Sequence, residues 1–257
     1  MTEHVKVDVD AGILTLTLAR ADKKNALTAA MYDVLSDSLD RAEKDATIRV
    51  VLFRGEGDSF TAGNDLADFS AQSQDKQPGA SSAFRFIQTL AKVTRPIVAA
   101  VQGNAVGIGT TMLLHCDLVY VADTAKLMTP FVNLALVPEA ASSLLLPARV
   151  GHARAYAMFA LGEVVDAPTA VSIGLANAMA PVAELDAKAR AAAVALTKRS
   201  PGALAHTKAL MRNVQAVTSQ MEREGAIFMA QLKTAEAREA FAAFAERRQP
   251  DFSKLVK

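Results

Sequence analysis

Three runs of this chain are apolar almost without interruption: RVVLFRG from Arg49, PIVAAVQG from Pro96 and DLVYVAD from Asp117. Short runs rich in β-branched residues and bounded by charge or glycine are strands, and the first is of the kind buried on both faces. The chain between them supplies helices. After ADKKNAL, Thr28 is placed to cap a helix whose stripe Met31, Val34, Leu35 and Leu39 is spaced three and four apart. A glycine-rich turn and the helix TTMLLHCD join the second run to the third, so strand, turn, helix and strand follow one another. Upstream, ILTLTLAR alternates, with Ile13, Thr15 and Thr17 on one face and Leu14, Leu16 and Leu18 on the other. The class is α/β.

Two further stretches complete the layout. SAQSQDKQPGASS, from Ser70 to Ser82, is polar and carries Pro78-Gly79, so an exposed loop near an opening is expected. From Gly151 the chain is mostly helical, with HARAYAMFALG and AKARAAAVALTKRS separated by the strand-like VVD and ANAMAPV. Beyond Pro201 three helices are read, ALAHTKALMRNVQ, SQMEREGAIFMAQL and AEAREAFAAFAERR, with no sheet of their own to cover. They are expected to pack on the core or on another subunit.

Composition narrows the partners. A chain of 257 residues that is 51% hydrophobic can bury a substantial core. Its 28 basic and 27 acidic residues leave a net charge of +1, which gives no case for a nucleic-acid binder or a polybasic membrane protein. Cys116 is the single cysteine, so no intramolecular disulfide forms, and no Cys/His cluster has metal-ligand spacing. MTEHVKVDVD lacks a signal-peptide layout, and no charge-free apolar stretch reaches about 18 residues, so a soluble, cytoplasmic protein without a membrane span is expected. Ser253-Lys254-Leu255 resembles a peroxisomal address, but Val256 and Lys257 follow it.

The chemistry concentrates in two turns and one carboxylate. SFTAGNDL (Ser59 to Leu66) and GNAVGIGTT (Gly103 to Thr111) each carry a strand through small residues toward a helix. Small residues let a ligand approach the backbone, and facing turns can hold one oxygen anion between two N–H donors. Gly107-Ile108-Gly109 is not a dinucleotide fingerprint, because Met112 stands at the third glycine position. Glu139, in LALVPEAASS, is the only acidic residue from Thr124 to Gly162. It is either a solvated first-turn acid or a poorly solvated carboxylate placed to handle a proton. His115 and Cys116 read as buried packing about a turn beyond the glycine-rich turn.

KKNAL, SFTAGNDL, PIVAAVQGNAVGIGTTMLLHCDLVYVAD and TPFVNLALVPEAASS, in this order, resemble the crotonase or enoyl-CoA hydratase/isomerase superfamily from about Val5 to the C-terminus. The resemblance implies a crotonase-like spiral of β-β-α turns over residues 1–196, followed by a C-terminal helical oligomerisation region over 197–257. A homotrimer or a hexamer built as a dimer of trimers is implied with it. It implies that the thioester oxygen of a bound acyl-CoA is held by the backbone N–H groups of Asn64 and Ile108. Hydratases of the superfamily use two glutamates, and the matching positions here are Thr111 and Phe131; Glu139 stands where typical hydratases carry glycine. TPFVNLALVPEAASS is similar to the subgroup that isomerises 3-enoyl-CoA to 2-enoyl-CoA with one glutamate.

By the same resemblance, Lys24, Ala26 and Leu27 lie along the CoA, and Ala62, Asp65 and Leu66 frame its adenine and pantetheine. Phe244 and Arg247 reach it from the last helix of the same or a neighbouring subunit, while Thr111, Phe131 and Leu136 border the acyl group. The CoA thioester is then the substrate, with no separate cofactor or metal. The implied activity is an isomerase of fatty-acid β-oxidation, with Glu139 as its base. An enoyl-CoA hydratase and a catalytically silent acyl-CoA-binding subunit are the alternatives.

Overall fold

A computed structural model describes residues 2–65 and 81–255. Strands β1 (Val5–Asp10) and β2 (Ile13–Leu18) form an antiparallel hairpin that turns at Ala11 and Gly12, both at positive φ. Helix α1 (Ala29–Lys44) follows, and the Thr28 hydroxyl accepts from the Met31 N–H at its start, as the spacing predicts. Next come β3 (Val50–Gly55), α2 (Ser82–Lys92), β4 (Ile97–Val101) and β5 (Asn104–Val106). The short α3 (Ile108–Thr111) runs on as a 3-10 turn over Met112–His115 into β6 (Leu118–Ala122) and β7 (Lys126–Met128).

The second half adds α4 (Ser142–Val150), then α5 (His152–Tyr156), which ends in a π turn over Ala157–Leu161. Strand β8 (Val165–Asp166), α6 (Ala167–Ser172), β9 (Ala178–Ala180) and α7 (Val182–Thr197) close the sheet-bearing part. Three helices follow it, α8 (Pro201–Met211), α9 (Val214–Gln231) and α10 (Ala235–Ala245). None of the described helices is long and apolar enough to cross a membrane.

A six-stranded sheet has the order β1-β2-β3-β4-β6-β9, and all its pairings beyond the β1-β2 hairpin are parallel. A smaller sheet joins β5, β7 and β8. Side-chain alternation divides the core between the two faces of the large sheet. Ile13, Val50, Leu52, Val98 and Ala100 meet Leu185, Ala189 and Ala193 of α7. Leu14, Leu16, Val51, Phe53, Ala99 and Val101 belong to the main core with Met31, Leu35, Leu39, Phe86 and Leu90 from α1 and α2. Burial on both sides explains why these strands read as continuous apolar runs. Val217 and Met221 of α9 also enter the main core, so the helical region packs on the sheet-bearing part of its own chain.

The expected Ser70–Ser82 loop lies outside the described residues up to 80, and its end is corrected. Ser81 accepts from the Phe84 N–H as the cap of α2, and Ser82 is the first helical residue.

Among the described glycines, Gly103 leaves the least room for a Cβ. It lies between β4 and β5 at φ 55°, where a Cβ would stand 1.8 Å from the Asp58 carbonyl oxygen. No alanine fits without moving the segment that enters the Ser59–Leu66 turn. Gly103→Ala is therefore expected to lose about 2–4 kcal/mol of stability, read as a lower urea midpoint with an unchanged slope.

Candidate active site

Thr61 ties the two small-residue turns together. Its N–H donates to the Asn104 carbonyl (3.0 Å) and its carbonyl accepts from the Val106 N–H (3.1 Å), a parallel bridge to β5. Its hydroxyl donates to the Asn25 carbonyl (2.7 Å) and accepts from the Gly63 N–H (3.1 Å). On the other side of the same segment, the Leu27 N–H donates to Gly63, and the Asp65 N–H donates to Leu27. Gly63 sits at φ 88°, and a Cβ there would stand 2.8 Å from the Val106 carbonyl oxygen, so only glycine lets the turns lie this close.

The consequence is a pair of unused donors. Among the described residues, neither the Asn64 N–H nor the Ile108 N–H has a protein acceptor. The Asn64 side chain is held by the Tyr32 hydroxyl, which donates to its Oδ1 at 2.5 Å. Two N–H groups on neighbouring turns have the chemistry of an oxyanion hole.

Glu139 is not a solvated first-turn acid. The residue lies ahead of α4 and is half-buried, and the buried Thr111 hydroxyl donates to its Oε1 at 2.6 Å. Burial pushes its pKa up to about 8; the Thr111 hydrogen bond opposes the shift and the negative charge of Glu224 adds to it. Phe131 and Leu136 are buried in the same core, and Phe131 packs on Phe159 with ring centroids 6.3 Å apart.

The backbone after Glu139 is strained. Ala140 and Ala141 both adopt left-handed conformations, with φ of 58° and 55°, each costing about 1–3 kcal/mol for a residue with a Cβ. Ala141 is also the N-cap of α4 and has no side chain to cap it. Glu224, from α9 and only 4% exposed, supplies the acceptors instead. It accepts from the N–H groups of Ala141 (2.6 Å) and Ser143 (3.0 Å) and from the Ser143 hydroxyl (2.5 Å). The sequence reading misses this residue, although its signal is present: Glu224 continues the buried stripe of Val217 and Met221 at helical spacing, where a carboxylate is out of place.

His115 and Cys116 are buried, as expected for packing. Burial, with the Arg212 cation next, pushes the His115 pKa down to about 3, and burial pushes the Cys116 thiol up to about 12. Both are neutral near pH 7. His115 does more than pack, since its Nε2–H donates to the Ala140 carbonyl at 2.8 Å.

The sequence pattern of the enoyl-CoA hydratase/isomerase family matches residues 8–255. The chain belongs to this family. A crystal structure of an enoyl-CoA hydratase/isomerase from Pseudoalteromonas atlantica T6c superposes with a TM-score of 0.92 at 42% identity, covering 97% of this chain and 100% of that one. The chain is therefore a crotonase fold. A probable enoyl-CoA hydratase of Bacillus subtilis is 30% identical, over 96% of this chain and 98% of the relative. Enoyl-CoA delta isomerase 2 of Rattus norvegicus is 33% identical over 82% of this chain, which spans 55% of that protein.

For a family member acting on acyl-CoA, the candidate CoA contacts fall in two places. Lys24, Ala26 and Leu27 lie beside Ala62, Asn64 and Asp65, joined by the Ala62 N–H to the Lys24 carbonyl and by the Leu27–Asn64 bridge. Lys24 is exposed, and Asp65 pairs with Arg20 at 2.7 Å. Leu66 lies outside the described residues. Phe244, 59% exposed, and Arg247 stand on and just after α10, which packs against the Val132–Leu134 turn.

The buried carboxyl has a measurable stability signature. Because the folded chain holds the Glu139 proton more tightly than an ordinary carboxyl of pKa 4.5, stability falls as pH rises from about 4.5 through about 8. Glu139→Gln removes that loss. The variant is expected to melt above the native protein at pH 8, by about 2–4 °C per kcal/mol, and the gap should close near pH 5 in a calorimetric series.

Proposed function

We propose that this enzyme shifts the double bond of a 3-enoyl-CoA to give the 2-enoyl-CoA, with Glu139 as the only proton carrier. The observation that supports this reading is the Glu139 carboxyl, hydrogen-bonded by Thr111 alone and raised to about 8, with a hydroxyl and a phenyl group at positions 111 and 131. Ionised Glu139 takes the proton from carbon 2 of the thioester. The resulting enolate oxygen is held by the Asn64 and Ile108 N–H groups, each worth about 3 kcal/mol by analogy with other oxyanion holes. Protonated Glu139 then returns the proton at carbon 4. Atoms and charge balance with one carboxyl, and no water is needed.

The second reading is hydration, and relatives carry both names. Adding water requires one group to activate it and another to protonate carbon. Glu224 is a buried carboxylate whose charge acts on Glu139, but both its oxygens are occupied by donors at the start of α4. A silent acyl-CoA-binding subunit would have no use for a carboxyl enclosed at this cost. In the proposed setting the enzyme serves β-oxidation of unsaturated acyl chains in the cytoplasm, as a homotrimer or hexamer, with CoA along Lys24, Ala26, Leu27, Ala62, Asp65 and Leu66 and with Phe244 and Arg247 closing over it.

Parallel assays of 3-enoyl-CoA and 2-enoyl-CoA substrates test this directly. Isomerisation should dominate over hydration and fall by at least about 1000-fold in Glu139→Gln, which keeps the shape of the side chain. Dominant hydration would overturn the reading. The base works only when ionised, so kcat/KM should rise with pH and level off above about 8.

A further inference from the structure

We propose that Glu224 is a positioning residue for Glu139, acting through the Ala140–Ala141 turn with His115 as its counterpart. The inference rests on Glu139 being the base, and goes beyond it by assigning the residues that aim the carboxyl. The Ala140 carbonyl and the Ala141 N–H belong to one peptide unit. His115 donates to that carbonyl at 2.8 Å from the turn after α3, and Glu224 accepts from that N–H at 2.6 Å from α9. In a trans peptide these two groups point in opposite directions, so the plane is gripped at both ends and resists rotation. This peptide begins one residue after Glu139 and lies between two left-handed alanines, where an unheld turn would relax.

The grip is itself anchored. Oε2 of Glu224 takes the Ala141 N–H, Oε1 takes both Ser143 donors, and Gln220 Nε2 donates to the Ser143 hydroxyl at 2.8 Å. With both oxygens engaged away from Glu139, Glu224 positions the base and does not carry protons. Thr111, which bonds Glu139, and His115 and Gln220, which bond the turn and the start of α4 after it, are uncharged. Glu224 is the charged group whose field reaches the Glu139 carboxyl. Glutamine at 224 keeps one acceptor oxygen and turns an NH2 toward one set of donors, so it weakens the grip and removes the charge together.

The test combines turnover with a readout that needs none. Infrared titration of the Glu139 carboxyl, its band identified by loss in Glu139→Gln, is compared between the native enzyme and Glu224→Gln. The Glu139 titration should move to lower pH, because a negative neighbour that disfavours its ionisation is gone. With 3-enoyl-CoA as substrate, kcat should fall about 10- to 100-fold while KM stays within roughly twofold. Should Glu224→Gln fail to fold, the His115 pair decides. His115→Leu should lower kcat in the same way, and His115→Gln, which offers an N–H at a similar reach, should restore most of it.

An unchanged titration and unchanged kcat in folded Glu224→Gln would overturn the proposal, as would native kcat in His115→Leu. Absence of isomerisation in the native enzyme would sink the functional reading instead, and the titration would still report whether the Glu224 charge acts on Glu139.

Discussion

The backbone and hydroxyl contacts of Thr61 are the constraint on which the site depends. One buried residue bonds to Asn104 and Val106 on one side and to Asn25 and Gly63 around its hydroxyl. Those bonds bring segments from three successive turns of the spiral into register. They leave the Asn64 and Ile108 N–H groups on adjoining turns without protein acceptors among the described residues. The glycines at 63 and 103 follow from the same constraint, since each stands where a Cβ would press into the backbone of the neighbouring turn.

Around that frame the chain accepts an electrostatic burden. A carboxyl in an apolar enclosure favours its neutral form, and Glu139 is pushed further that way by a second buried carboxylate, Glu224. Glu224 is raised by its own burial, while the donors at the start of α4 pull the other way. The two acids thus differ in kind. Three donors satisfy Glu224, whereas Glu139 has one hydroxyl and is left able to exchange a proton.

Much of this was legible in the sequence, for identifiable reasons. Strands β3, β4 and β6 announce themselves because both of their faces are buried, and α1 because its cap and stripe agree. Strand β1 is less legible, as VKVDVD is mostly exposed on both faces, and β5, β7 and β9 are three residues long each. Phe86, Ile87, Leu90 and Ala91 give α2 a clear stripe, but the polar stretch before it hides where it begins. Glu139 stood out by its isolation among apolar residues. The contacts that hold it did not, because Ala141 and Glu224 are 83 residues apart and meet only through tertiary packing.

That separation has a consequence for how the chain comes into being. Synthesis proceeds from the N-terminus, and sheet strands β1 to β4, β6 and β9 all precede residue 181. The turn after Glu139 therefore emerges with its peptide plane ungripped and the first N–H groups of α4 bare. They stay so until α9 has been made and docked on the main core. The nascent spiral can gain its sheet well before it gains a usable base, so the last helices to be synthesised complete the centre of the molecule as well as its exterior.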